Sequence, residues 1–227
     1  ARNRSITVHT SLDLDWQRHA ERAINDHLER IQDDRGSLGH NVNNAALVAI
    51  DTNTGEIRAM VGSRDYFSTD IDGAVNMAIN PRQPGSALKP FIYGLAFEAG
   101  LAHPQTLIED RPTRFSRYAP RNFDSDYKGT VTVAEALQLS LNVPAVKMLA
   151  AVGPARLAAR VRHAGFSMPV PRNLAIALGG IGLRLEELAA LYTGVARGGE
   201  PVRLRYLTGQ SSEASEREAI QIGRAHV

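Results

Sequence analysis

The chain breaks its apolar rhythm at Pro81-Arg82-Gln83-Pro84-Gly85, and this break constrains the fold more than any other feature. Clear strand-length apolar runs lie before it. After it, apolar residues recur at helical spacing between Gly and Pro stops. Pro90 fixes where the first of these helices begins, because a proline ring clashes with the carbonyl four residues earlier, here that of Ser86. The pattern predicts a helix from Ser86 to about Ala99, closed by Gly100, with Ser86 at its N-terminus.

Upstream of the break, Ile6 to His9 reads as a short strand leading into a helix over about Asp13 to Gln32. Leu14, Ala20, Ile24, Leu28 and Ile31 give that helix one apolar stripe, and Ser11 or Asp13 can cap its start. Ala45 to Ile50 and Glu56 to Val61 flank Asp51-Thr52-Asn53-Thr54-Gly55 and predict a β-hairpin, with Asn53 and Gly55 suited to positive backbone angles. Gly62 to Asp72 reads as loop.

Downstream, His103 to Lys128 is irregular. Thr132-Val133-Ala134-Glu135 forms a capping box that opens a short helix ending near Ser140-Leu141-Asn142. Further helices are expected over Val143 to Val152, Ala155 to Ala164 and Leu185 to Ala196, with Leu174 to Leu178 as a strand or extended link. Thr208 to Glu218 is polar without an apolar period, and Ile222-Gly223-Arg224-Ala225-His226-Val227 looks like a translated sequencing adapter. The expected organisation is a leading strand and helix over 1–44, a mixed α+β domain over 45–207, and a non-native or disordered tail over 208–227.

Composition removes several classes of function. Of the 227 residues none is Cys, so disulfide frameworks, thiol redox motifs and cysteine nucleophiles are excluded. The seven His show no metal-ligand spacing, and His163 reads as a surface or capping residue. Gly180-Ile181-Gly182 is followed by Leu185 where a dinucleotide fingerprint requires Gly. A net charge of +2 is too small for a phosphate-tracking surface, which argues against nucleic acid as a partner. No apolar run approaches the eighteen or so residues that span a bilayer.

Two short motifs carry chemistry. In Ser86-Ala87-Leu88-Lys89 the two polar residues stand three apart, so Lys89 can reach the Ser86 hydroxyl and, if desolvated, act as its base. The Ser86 N–H at a helix start is a ready donor to a developing oxyanion. The blander reading is a helix cap beside a solvated Lys. With 13 Ser in the sequence, and Lys only at 89, 128 and 147, chance supplies about 0.2 such pairs. What raises the pair above chance is its place directly after Pro84-Gly85. Ser140-Leu141-Asn142 puts a hydroxyl and an amide in a link between helices, where they can relay a proton and hold a peptide. Its bland reading is a cap for the helix at Val143.

Taken together these residues resemble the penicillin-binding transpeptidases and their relatives, the serine β-lactamases, whose signature set is Ser-x-x-Lys, Ser-x-Asn and Lys-Thr-Gly. The likeness is broader than the motifs and is nearest to class A penicillin-binding proteins of the 1C type. It includes Thr10-Ser11-Leu12-Asp13, the hairpin from Ala49 through Gly55 to Gly62, Arg82-Gln83-Pro84-Gly85-Ser86 with Lys89-Pro90-Phe91, Arg121-Asn122-Phe123-Asp124, and the run from Glu135 to Pro144. It covers about residues 5 to 207.

The resemblance implies a serine β-lactamase/transpeptidase-like α+β fold, an antiparallel sheet packed with helices plus a helical subdomain. It implies a peptidoglycan D,D-transpeptidase in which Ser86 is the nucleophile, Lys89 its base, Ser140 a proton relay and Asn142 a substrate-binding residue. No cofactor or metal is required. The implied partners are peptidoglycan stem peptides and β-lactam antibiotics, on the extracytoplasmic face of the inner membrane, with a membrane anchor and a glycosyltransferase domain expected upstream of this chain. The 227 residues contain no Lys-Thr-Gly; Leu207-Thr208-Gly209 lacks the Lys. A chain without that strand is expected to acylate poorly, because it lacks a second oxyanion donor and leaves Lys89 better hydrated. Two alternatives remain open at this level: a serine β-lactamase-like hydrolase, and a non-catalytic binding or scaffold fragment.

Overall fold

The apolar stripe near the N-terminus folds as α1, Leu14–Asp33, in a computed structural model that describes residues 7–33, 42–166, 169–200 and 202–208. Ala20, Ile24 and Leu28 are buried, whereas Leu14 stays exposed. Asp13 is the cap: its carboxylate accepts from the N–H groups of Asp15 and Trp16. Ser11 serves differently. Its buried hydroxyl lies 2.9 Å from the carbonyl oxygen of Ile57 and 3.0 Å from that of Arg205.

Among the described residues the chain forms two compact units, one of residues 7–81, 184–197 and 202–208, the other of 82–183 and 198–200. In the first, β1 (Leu47–Ile50) pairs antiparallel with β2 (Ile57–Val61). Ala59 and Val61 of β2 pack with Ala20, Ile24 and Leu28 of α1 to form its core. The reversal between the strands turns on Gly55 at φ 75°, and Asn53 keeps an ordinary negative φ. An added Cβ on Gly55 would stand 2.1 Å from the Arg203 carbonyl oxygen, so the bare backbone there admits the 202–208 segment. Residues 205–208 pair singly with both sides: Arg205 bridges to Glu56 and Leu207 to Thr10. The expected strand at Ile6 to His9 is not formed over its described residues. Only Thr10 pairs there, and Ile6 lies outside the described residues. α6, Leu185–Ala196, completes this unit with the bounds expected from sequence.

The second unit holds the helices after the break. A 3₁₀ turn, Gly85–Leu88, leads into α2, Lys89–Glu98. The expectation that Ser86 opens an α-helix is corrected here, and Pro90 explains why. Having no N–H, Pro90 cannot bond the Ser86 carbonyl, which instead accepts from Lys89, three residues on. Two four-residue strands pair antiparallel, β3 (Leu107–Asp110) inside the stretch read as irregular and β4 (Gly129–Thr132) directly after it. Thr132 then caps α3, Val133–Gln138, through the expected box with Glu135. α4 (Asn142–Val152) and α5 (Pro154–His163) follow. Leu174–Leu178 is a second 3₁₀ helix, capped by Asn173, in place of the expected strand or link. No helix among the described residues is long and apolar enough to cross a membrane.

Candidate active site

Ser86, Lys89, Ser140 and Asn142 all lie in the second unit, and three of the four are joined by hydrogen bonds. Lys89 Nζ donates to the Ser140 carbonyl oxygen at 2.6 Å, to Ser140 Oγ at 3.1 Å and to Asn142 Oδ1 at 2.7 Å. Lys89 is 0% exposed, so its stem is covered by protein and its nitrogen meets only these fixed oxygens. The expectation that the nitrogen is better hydrated in this chain is therefore overturned. Burial alone lowers its pKa from 10.5 to about 8. The surrounding acceptors favour the ammonium, and desolvation outweighs them.

Ser86 stands on the turn preceding Lys89, exposed to solvent. The expected bond between Lys89 Nζ and Ser86 Oγ is not among the three that Nζ makes. Carbonyl and amide oxygens are better acceptors than a hydroxyl, and Ser140 and Asn142 supply one of each to Lys89 Nζ. Ser140 is thus the residue through which Lys89 meets a hydroxyl.

Ser140 sits where the chain passes from α3 to α4, with φ 52°. The Ser140 N–H bonds the Leu137 carbonyl at 3.0 Å and the Leu141 N–H bonds that of Ala136 at 2.9 Å. This is a Schellman ending of α3, with Ser140 at the left-handed position where Gly is usual. Holding a serine there costs about 1–2 kcal/mol. The bland reading of Ser140 as a cap for α4 fails on geometry, because the N-cap residue is Leu141, without a side-chain bond. Asn142 is the first residue of α4. With Oδ1 on Lys89, it turns Nδ2 to the Arg121 carbonyl at 2.8 Å and keeps a second N–H available.

Sequence reasoning missed two neighbours. Asp110, 0% exposed at the end of β3, takes Asn122 Nδ2 on both oxygens at 3.0 and 2.9 Å. Asn122 Oδ1 in turn accepts from the N–H of Asn142 at 2.8 Å. The signal was present: a helix beginning after Leu141 has no local polar cap and must find one elsewhere. A cavity of about 510 Å³ opens on the Arg121 side, lined by Thr113, Arg114, Arg121, Ser125 and Tyr127 among others. Ser86 and Lys89 are not among its walls.

Residues 45–215 match the family model of the penicillin binding protein transpeptidase domain. The chain belongs to that family. It is 40% identical over 208 residues to penicillin-binding protein 1C of Escherichia coli (strain K12), an overlap of 90% of this chain and 26% of that one. The chain therefore spans about a quarter of that relative's length. Among solved structures it resembles penicillin-binding protein 1A of Haemophilus influenzae, with TM-score 0.65 and 26% identity over 72% of this chain and 25% of the other. It shares its fold with PonA1 of Mycobacterium tuberculosis in complex with penicillin V, with TM-score 0.71 and 24% identity over 88% of this chain and 54% of that one. The transpeptidase-like α+β fold expected from the motifs is thus the fold found.

Proposed function

We propose that this transpeptidase domain performs the acyl-serine chemistry of peptidoglycan cross-linking, with Ser86 as nucleophile. The observation that carries the reading is the buried Lys89, whose lowered pKa leaves about a tenth of it neutral at pH 7. Neutral Lys89 takes the hydroxyl proton as Ser86 Oγ attacks the carbonyl between the two terminal D-alanines of a stem peptide. The bond from that carbonyl to the terminal D-alanine nitrogen breaks, and Ser140 passes a proton to the leaving amine. An ester on Ser86 remains. An amine of a neighbouring stem displaces Oγ and closes the cross-link; water in its place releases the shortened peptide. Asn142 offers its remaining N–H to the substrate backbone. On this reading the domain occupies residues 45–207 and works on the extracytoplasmic face of the inner membrane, where its polymer lies. A β-lactam acylates the same Oγ, and the PonA1 fold is known in complex with one, penicillin V.

Mass spectrometry after incubation with a penicillin is expected to find the adduct on Ser86 and stable for hours. An adduct on another residue overturns the assignment, and rapid hydrolysis of the Ser86 ester points to a β-lactamase-like hydrolase instead. Labelling of the 227 residues alone is expected to be two to three decades slower than when they are joined to a Lys-Thr-Gly strand. One missing oxyanion donor costs about 2.7–4 kcal/mol. A fluorescent penicillin titrated against both forms measures this, and equal second-order rates would show that the first two motifs suffice.

A further inference from the structure

The head of α4 carries two of the proposed site residues, yet it has no cap of its own. Leu141 stands at the N-cap position, and the first N–H groups of an α-helix have no intrahelical partner. The partner comes from the loop between β3 and β4. Asn122 Oδ1 accepts from Asn142 N at 2.8 Å and is 3.4 Å from Val143 N. The orientation of that amide is forced. Its Nδ2 faces the Asp110 carboxylate on one side and the Asp126 carbonyl oxygen, at 2.8 Å, on the other. Asp110 is itself fixed by the Lys128 N–H at 2.8 Å on Oδ2. Its charge is felt by Tyr93 of α2, whose phenol pKa is raised by burial first and by Asp110 second.

We infer that Asn122, oriented by Asp110, is a positioning residue that registers Ser140 and Asn142 against Lys89. It sets the rate of acylation without touching the substrate. The inference rests on the acyl-serine reading above. The loop grips Asn142 at two points, its backbone N–H through Asn122 and its side chain through the Arg121 carbonyl. Any shift of the α4 head moves Asn142 Oδ1 and the Ser140 carbonyl together, and both are direct partners of Lys89 Nζ. A buried amide spanning a carboxylate and a helix start is also hard to replace. Ala leaves the carboxylate with the Lys128 N–H alone and the helix start without its acceptor, and Asp sets one carboxylate against another.

The test measures penicillin binding (Kd) and the acylation step (k2) separately in the full chain, with hydrogen exchange at Asn142 and Val143. Asn122→Ala is expected to raise exchange at both amides and lower k2 by about ten- to a hundredfold, the scale of a 1 Å misplacement, with Kd changed less than about threefold. Asp110→Asn keeps the shape, covers the case in which the first variant does not fold, and is expected to lower k2 about fivefold by weakening a charge-assisted bond. Val152→Ala, in the core at the far end of α4, is expected to lower the melting temperature and leave k2 unchanged. An unchanged k2 in both variants, with labelling still on Ser86, overturns the positioning role and leaves the acyl-serine reading standing. An equal fall of k2 in Val152→Ala also overturns it, because the effect is then general loosening. Labelling of the wild type away from Ser86 overturns the acyl-serine reading itself, and the positioning role with it.

Discussion

Lys89→Arg is expected to slow acylation by a penicillin at least about a hundredfold, the usual scale for removing a general base. Arg stays protonated at any working pH and cannot accept the Ser86 proton. The size of the guanidinium adds to the loss. Lys89 Nζ sits among three oxygens within 3.1 Å, and the residue is 0% exposed, so a planar five-donor group cannot enter without moving the head of α4. The pH profile separates the two causes. Because the amine is the active form and its pKa is lowered to about 8, wild-type acylation is expected to rise with pH and level off above about that value. Lys89→Arg has no such group, so its residual rate is expected to be flat through the same range. Stopped-flow acylation between pH 6 and 10 checks both. A variant that keeps the wild-type limb near pH 8 would assign the base to another residue.

The reason Lys89 titrates so low was only partly legible in the sequence. Ser-x-x-Lys after Pro84-Gly85 identifies the pair, and the scarcity of lysine makes it easy to weigh. What desolvates the nitrogen is long-range. The segment that closes over it, around Ser140 and Asn142, stands more than fifty positions along the chain, and a one-dimensional reading has no access to that distance. The same reading set Lys89 against the Ser86 hydroxyl, whereas the structure sets it against the head of α4.

Helices with strong local punctuation were read correctly. α1, α3 and α6 each carry a clear stripe or cap, and the Thr132–Glu135 box is formed as expected. The misses have separate causes. β3 and β4 are four-residue strands between prolines and turn residues, too short to show a period of two. Leu174–Leu178 is an apolar run of ambiguous length, and the Asn173 cap decided it in favour of a 3₁₀ helix. The Pro90 ring predicts an α-helix start at Ser86, and the missing N–H of the same residue tightens that start into a 3₁₀ turn. Asp110 carries no motif, and Asn122 lies in the Arg121–Asp124 segment of the family likeness without any role read from it. They matter only because the fold lays a loop across a helix start.

Gly179→Ala is expected to be among the most damaging single-methyl changes in the second unit. Gly179 follows the 3₁₀ helix Leu174–Leu178 at φ 83°, where a side chain is strained wherever it points. A Cβ there would meet Gly85 N at 2.2 Å and Gly85 Cα at 2.4 Å. Both are backbone atoms of the turn that carries Ser86, and Gly85, at φ 56°, cannot rotate away as a side chain would. Backbone strain of about 1–2 kcal/mol and overpacking of about 1–3 kcal/mol predict a loss near 3 kcal/mol. At about 2–4 °C per kcal/mol for a chain of this size, the melting temperature is expected to fall by about 6–12 °C. The turn relieves part of the overlap by moving, which carries Ser86 with it, and a 1 Å displacement costs about a hundredfold in rate. Gly100→Ala supplies the control. Its φ of 65° carries the same backbone penalty, but an added Cβ meets nothing within 4 Å, so acylation of Ser86 is expected to keep its wild-type rate. Penicillin labelling of the two variants at matched fractions folded decides the matter. If Gly179→Ala labels as fast as Gly100→Ala, the close approach of Gly179 to Gly85 does not fix the nucleophile.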